Sequence, residues 1–392
     1  MQGYSLDTLL QHFGEEEKIL GAVTPPIFQN SLFVFDEYEG FLETMLENPG
    51  GPPHHYSRFS NPTVEVVEKK IALLERAEEC KVFGSGMAAI SCAMLSCLQA
   101  GSHVVAVDTC YQPVRKFLDL YLPKFGVRVT YVDGTSTEEL LDEIRPETSC
   151  IYLESPSSLV FRLQDLEAIA RVAREKGITT ICDNSYASPL YQNPLEFGID
   201  LVVHSATKYL AGHSDITAGV VCGSAERIDG ILRNELQFFG SIIAPFPAWL
   251  LLRGLRTLKR RLKQHELSGN RLAAWLRTRP EVERVHHVSF EDHPQRDLYL
   301  KQMRGSGGLL SFEPVRQDRG YIVRLMNSLK LIQIGVSWGG FESLGVALFV
   351  QPMGYSEPRY VVRFYCGLED PEDLIGDLEA AFAAAAEAPE QV

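Results

Sequence analysis

Between Cys80 and Gly223, short β-branched runs recur, and helical patterns fill most of the spaces between them. The runs are CKVF (80–83), HVVAVD (103–108), RVTYVD (128–133), CIYLES (150–155), TTICDN (179–184), DLVVHS (200–205) and AGVVCG (218–223). Strands this apolar must be covered on both faces, and parallel strands need a helical crossover between them. The alternation therefore predicts an α/β domain on a mainly parallel sheet. LEAIARVAREKG (166–177) is the cleanest helix, with Leu166, Ile169, Ala170 and Ala173 on one face and Gly177 as its stop. Ligand-binding side chains in such sheets collect at strand C-termini, and Tyr111, Glu154, Asp183, Ser205 and Lys208 all fall at or after such ends.

The flanking segments complete the layout. At 392 residues the chain exceeds the usual limit for one core, so two domains and an arm are expected: an arm over 1–60, a large domain over 61–250 and a smaller α/β domain over 251–392. Leu6, Leu9, Leu10 and Phe13 have helical spacing, and the proline, glycine and serine density of Asn48 to Pro62 predicts irregular chain. VTPPIFQNSLFVF is too apolar to float free, so the arm is read as lying across a neighbouring subunit. A helix then starts at Asn61-Pro62-Thr63, with Thr63 near its cap and Val64, Val67 and Ile71 as its buried stripe. From 225 to 275 the texture is that of long helices, and the basic run Lys259-Arg260-Arg261-Leu262-Lys263 reads as a solvated face. Beyond 280, GGLLSFEP (307–314), VSWGGFES (336–343) and YVVRFYCG (360–367) are strand-like. Helices are expected around 317–329 and 371–386, and a frayed tail at 387–392.

Charge and cysteine usage narrow the class. A net charge of −14 argues against a general nucleic-acid or anionic-membrane binder. No run approaches the roughly eighteen apolar residues of a membrane span, and the N-terminus lacks a signal-peptide pattern. The eight cysteines form no C-x-x-C pair and several sit inside strand-like runs, so they read as buried thiols in a reducing compartment, the cytoplasm. His54-His55 and His286-His287 lack supporting ligand spacing, and no metal site is expected.

The chemistry centres on SATKYLAGHSD (205–215). Lys208 follows the apolar run Leu201-Val202-Val203, and an amine that loses hydration there moves toward its neutral, nucleophilic form. FGSGMAAI (83–90) reads as a strand, a glycine turn and a helix start whose N–H groups at Gly86 and Met87 suit a phosphate. With Asp183, Tyr111, Tyr56, Arg58, Ser205 and Thr207, the set matches the needs of pyridoxal phosphate. Lys208 would hold the cofactor covalently, Asp183 would pair with its ring nitrogen and Tyr111 would lie over the ring. Arg363 would grip a substrate carboxylate in a bidentate fork.

The segments YSRFSNPT (56–63), FGSGMAA (83–89), DNSYASP (183–189), HSATKYLAGHSD (204–215), VSWGGFESL (336–344) and VVRFYCGLED (361–370) run in order along nearly the whole chain. In these the sequence resembles the Cys/Met-metabolism family of fold-type I pyridoxal-phosphate enzymes, the trans-sulfuration group. The resemblance implies a seven-stranded large-domain sheet that binds the cofactor and a smaller C-terminal domain. It implies a cytoplasmic homotetramer of two catalytic dimers acting on a small sulfur-containing amino acid. Tyr56 and Arg58 would reach the phosphate of the neighbouring subunit. Lys208 and Tyr111 would be catalytic, with Arg363, Ser337, Ser158 and Trp338 on the substrate side.

Within that family, DTCYQPVRKFLDLYLPKFGVRVTYVD (108–133), SWGGFESL and ESPSSLVF (154–161) look most like bacterial cystathionine β-lyases. Ser158 stands where many γ-specific members carry asparagine. Val336 and the NPT at 61–63 lean toward the γ-acting members. The resemblance thus implies first a β-elimination of cystathionine to homocysteine, pyruvate and ammonia. The alternatives are a cystathionine or methionine γ-lyase, a γ-replacement transferase, and a cofactor-binding regulator without catalysis.

Overall fold

The structure is a computed structural model that describes residues 3–47 and 50–387. Seven strands form the large sheet: β1 Glu79–Phe83, β2 His103–Val107, β3 Arg128–Val132, β4 Thr148–Glu154, β5 Thr179–Asp183, β6 Leu201–His204 and β7 Gly219–Gly223. Their spatial order is β3-β2-β4-β5-β6-β7-β1. From β3 to β6 every pairing is parallel, whereas β7 runs antiparallel to both β6 and β1. Every residue of β2, β5, β6 and β7 is buried, the consequence of apolar runs covered on both faces. One covering helix is 166–175, where Asp165 accepts from the Ala168 N–H at the cap and Leu166, Ile169, Ala170 and Ala173 are buried.

The helix Pro62–Glu75 is capped by Asn61, which accepts from the Thr63 N–H and stands two residues before the expected cap at Thr63. The arm is tied to the body by a buried ion cluster. Lys70 Nζ donates to Glu15 Oε1 at 2.7 Å and to the Leu10 carbonyl at 2.8 Å, and Arg256 reaches Glu15 Oε2 at 2.6 Å. Of the stretch Asn48–Pro62 expected to be irregular, Asn48 and Pro49 lie outside the described residues, as does the tail 388–392.

A helix of 32 residues, Pro245–Leu276, carries the chain between the cores. Leu251, Leu255, Leu258 and Leu262 pack into the large core, and Leu272, Ala273 and Leu276 into the small one. The boundary expected at 250–251 falls inside this helix. The basic run is also not a uniform solvated face. Lys259 pairs with Asp7, but Arg261 is buried, because at helical spacing it shares the inward face with Leu258 and His265.

The small sheet contains β8 Val282–His286, β9 Leu309–Pro314, β10 Gln333–Ile334, β11 Leu344–Val350 and β12 Arg359–Tyr365, in the order β10-β11-β12-β9-β8. Only β10–β11 is parallel. Helices 319–328 and 371–387 pack beside it. The strand expected over 336–343 is instead a loop ending where β11 begins. Gly339 sits at φ +95°, and a Cβ there would fall 2.7 Å from the Lys208 backbone, so the chain bends onto another loop and cannot pair as a strand. Among the described residues no helix is long and apolar enough to cross a membrane.

Candidate active site

β6 ends at His204, and the chain turns at once to present Lys208. The Lys208 N–H bonds the Ser205 carbonyl at 3.0 Å, and Gly212, at φ +70°, closes the next turn on the Lys208 carbonyl at 2.9 Å. Tyr209 anchors this loop from below: it is buried, its hydroxyl accepts from the Gly308 N–H at 2.9 Å, and its carbonyl accepts from Arg261 Nη2 at 2.9 Å. Gly212 leaves room for that guanidinium, since a Cβ there would sit 1.8 Å from Arg261 Nη1. Arg261 is a site-building residue that the sequence reading placed in solvent; its one legible sign was the helical register with Leu258, Leu262 and His265.

The Lys208 amine donates to Ser337 Oγ at 2.6 Å and lies 5.5 Å from the ring of Trp338, which packs edge-on against Tyr209. Trp338 thus lines the lysine and packs the 336–343 loop against the Tyr209 ring. Arg363, on β12, donates through Nη2 to the carbonyls of Val336 at 2.6 Å and Ser337 at 3.3 Å. Ser337 therefore touches both the amine and the guanidinium. The Lys208 pKa is lowered to about 8, first by burial and then by the Arg363 charge, with Asp183 opposing the shift. Burial likewise holds Arg363 down at about 10.

Asp183 ends β5 and is buried. Its Oδ1 accepts from the Ser185 N–H at 2.9 Å, and the Tyr152 hydroxyl is 3.5 Å from Oδ2. Burial raises its pKa, and the hydrogen bonds of Ser185, with the His204 charge, pull the other way. The Ser185 hydroxyl in turn accepts from the Ser205 N–H at 2.7 Å, linking the aspartate turn to the lysine turn. Beneath them His204 Nε2 and Glu75 Oε1 are 2.5 Å apart, and Asn184 donates to the same oxygen at 2.8 Å. Tyr152 and Ser185 were not singled out from sequence. Tyr152 had a readable sign, because two residues before Glu154 on one strand is the same face.

The helix Gly86–Leu95 begins against this cluster. Ser85 caps it by accepting from the Ala88 N–H at 3.2 Å, and the N–H groups of Gly86 and Met87 belong to the first turn, without intrahelical carbonyls. A Cβ on Gly86 would lie 2.9 Å from Ser205 Oγ, and one on Gly219 only 2.0 Å from the Ser85 carbonyl oxygen. These glycines allow the helix start to sit on Ser205. The Thr207 hydroxyl is engaged elsewhere: it donates to the Ala218 carbonyl at 3.2 Å and accepts from the Ala218 N–H at 3.0 Å. An anion would have to share it with that bridge.

Tyr111 precedes the short helix 112–116 and is 43% exposed. Burial of its ring edge, then the nearby Asp183 charge, push its pKa up, so within this chain the phenol stays protonated at neutral pH. Ser158 is turned into the protein, donating to Glu154 Oε1 at 2.6 Å. Tyr56 and Arg58 are exposed; the guanidinium lies 5.2 Å from the Tyr56 and Phe59 rings. No hydrogen bond or ion pair among the described residues ties either to the Lys208 loop. His213 Nδ1 meets the Ala211 carbonyl at 2.7 Å, and the Cys110 thiol is buried and its pKa pushed up, which makes it a poor nucleophile. His54 bonds Ser60 and Glu65, whereas His286 bonds Glu313 in the small domain.

A cleft of about 730 Å³ lies elsewhere, beside β8 and lined by Arg162, Arg277, Arg284 and Tyr355. Lys208, Asp183, Tyr111, Ser337 and Arg363 do not line it, and Arg162 and Arg277 are already paired with Asp133 and Asp292. An amine held near neutrality, a buried carboxylate one strand away and an open helix start fit the donor set of pyridoxal phosphate, and they define the chain as an enzyme of that cofactor. It belongs to the Cys/Met metabolism PLP-dependent enzyme family, whose model matches residues 7–383. It is 37% identical to the L-methionine gamma-lyase of Pseudomonas putida over 93% of this chain and 94% of that one. It is 34% identical to the L-alanine/L-glutamate racemase of Wolbachia pipientis wMel, over 93% of each chain. The crystal structure of metB from Corynebacterium glutamicum superposes with a TM-score of 0.89 at 31% identity, covering 97% of this chain and 98% of that one. The similar enzymes thus carry the names of γ-acting members and a racemase, and they sit closer to the alternatives than to a β-lyase.

Proposed function

We propose that this enzyme eliminates a thiol from the γ-carbon of an amino-acid thioether of the methionine type, giving methanethiol, 2-oxobutyrate and ammonia from methionine and water. The observation that carries the reading is the Lys208–Ser337–Arg363 triangle, which sets a proton acceptor beside a carboxylate grip. The names of the similar methionine gamma-lyases support the γ position. So does Val336 at the Arg363 end, 82% exposed and uncharged, which offers nothing to the distal ammonium and carboxylate of cystathionine.

Bound pyridoxal phosphate supplies an electron sink for a carbanion at the substrate Cα. Gly86, Met87 and Ser205 would hold its phosphate, Lys208 its aldehyde carbon and Asp183 its ring nitrogen. Arg363 fixes the substrate carboxylate through charge-assisted bonds. Lys208 Nζ, once free and neutral, accepts the Cα proton, and it can take a second from Cβ after handing the first to the carbanion's electron sink. The Tyr111 phenol, protonated at neutral pH, donates to the departing sulfur. Tyr56 and Arg58 complete the phosphate site of a neighbouring subunit in a tetramer of two catalytic dimers. Eight free thiols, seven of them buried, suit the reducing cytoplasm.

The second reading is β-elimination of cystathionine, favoured by Ser158 and its bond to Glu154. Identification of the keto acid separates the two. Cofactor-loaded protein should release 2-oxobutyrate from methionine. Pyruvate from cystathionine with no product from methionine would install the second reading. Turnover only of an O-acyl-homoserine with a thiol would make the enzyme a γ-replacement transferase.

A further inference from the structure

Glu154 has a place in this site that the proposed mechanism does not use. It ends β4, is 8% exposed and pairs in register with Asp183 on β5. Both of its oxygens are occupied: Oε2 accepts from the Tyr111 N–H at 2.7 Å and Oε1 from the Ser158 hydroxyl at 2.6 Å. Two further bonds join the same segments, Ser158 N–H to the Thr109 carbonyl at 2.8 Å and the Thr109 hydroxyl to Ser157 Oγ at 2.8 Å. The Tyr111 side chain is half exposed and its phenol makes no hydrogen bond among the described residues, so its ring is located chiefly by its backbone.

We propose that Glu154 is a positioning residue: its two hydrogen bonds strap the Tyr111 backbone to the Ser158 turn and so fix the Tyr111 ring over the neighbouring Asp183 rung. The inference rests on the functional reading above, in which Tyr111 works at the sulfur. What matters is the length and hydrogen bonding of the side chain, not its charge. Glutamine preserves both bonds, with its carbonyl toward the Tyr111 N–H and its amide toward Ser158 Oγ, which is able to accept. Aspartate keeps the carboxyl but is one methylene short. Burial and Asp183 raise the Glu154 pKa to about 8, so the carboxyl is largely neutral already near pH 7; in that form its O–H can donate to Ser158 Oγ as the amide would.

Charge and position therefore predict opposite orders for two mild variants. With cofactor and thioether, Glu154→Gln should keep kcat within about threefold of the parent. Glu154→Asp should lose about ten- to a hundredfold in kcat, the scale of an ångström-sized misplacement, while KM stays within about threefold because Arg363 is untouched. In a Tyr111→Ala background both substitutions should change kcat less than about twofold, which a general structural defect would not do. Amide hydrogen exchange of the cofactor-free proteins should show Tyr111 N–H protection kept in Glu154→Gln and lost in Glu154→Asp. Glu154→Asp matching or exceeding Glu154→Gln, or an undiminished Glu154→Asp loss in the Tyr111→Ala background, overturns the proposal. Unchanged Tyr111 protection in Glu154→Asp does so too. Should the parent turn over no thioether, the functional reading fails, and the exchange result still decides whether the strap exists.

Discussion

Lys208 in the cofactor-free protein offers the most direct physical test. Its pKa is lowered from the ordinary 10.5 to about 8. At pH 7 an ordinary lysine is neutral in about one molecule in three thousand, against about one in eleven for an amine of pKa 8, a gain of about 300-fold. The neutral form is the one that acylates, so Lys208 labelling should rise with pH and level off above about 8, well below the range of an ordinary lysine. Brief pulses of acetic anhydride between pH 6 and 10, followed by quantitation of each lysine peptide, read the midpoint. The neighbours fix the signs of two variants. Arg363 lowers the Lys208 pKa, so Arg363→Met should move the midpoint up; Asp183 raises it, so Asp183→Asn should move it down. Both displacements should be smaller than the whole shift, because burial is its largest cause. A Lys208 midpoint at or above about 10 would refute the reasoning, since it would mean that the amine keeps its water.

Glu15→Ala should destabilise the chain by about 3–5 kcal/mol in urea denaturation, because Lys70 would remain buried and uncompensated; a loss under about 1 kcal/mol would show that the cluster does not anchor the arm. Gly339→Ala should cut kcat at least about tenfold, since the added Cβ meets the Lys208 backbone at 2.7 Å; parental activity would mean that the two loops move independently. Arg58→Ala and Lys208→Ala proteins should each be impaired alone, yet regain activity when unfolded and refolded together. One site of each hybrid pair would then hold an intact Lys208 and a neighbour's Arg58. Mixed refolding with no recovery would count against a site shared between subunits.

The large sheet was legible because burial on both faces writes long apolar runs, and the turn chemistry around Gly86, Asp183 and Lys208 sits at fixed offsets from those runs. Less was legible where one residue serves another far along the chain. VSWGGFES has the composition of a strand, yet Gly339 bends it onto Lys208. Arg261 sits in a run of charges, yet it is buried and bonds the Tyr209 carbonyl 52 positions away. Ser158 was placed on the substrate side by the family resemblance, and within this chain its hydroxyl bonds Glu154.

The order of hydrophobic runs along the chain determined the parallel sheet, because each apolar strand has to be covered wherever it occurs. The residue types at the strand ends determined which chemistry is available. Only the packed structure decided how that chemistry is tuned. The lowered pKa of Lys208 comes from lost water and from Arg363, brought in from the other domain. Desolvation and Coulomb attraction depend on distance through space, and one-dimensional spacing does not contain that distance until the chain has folded.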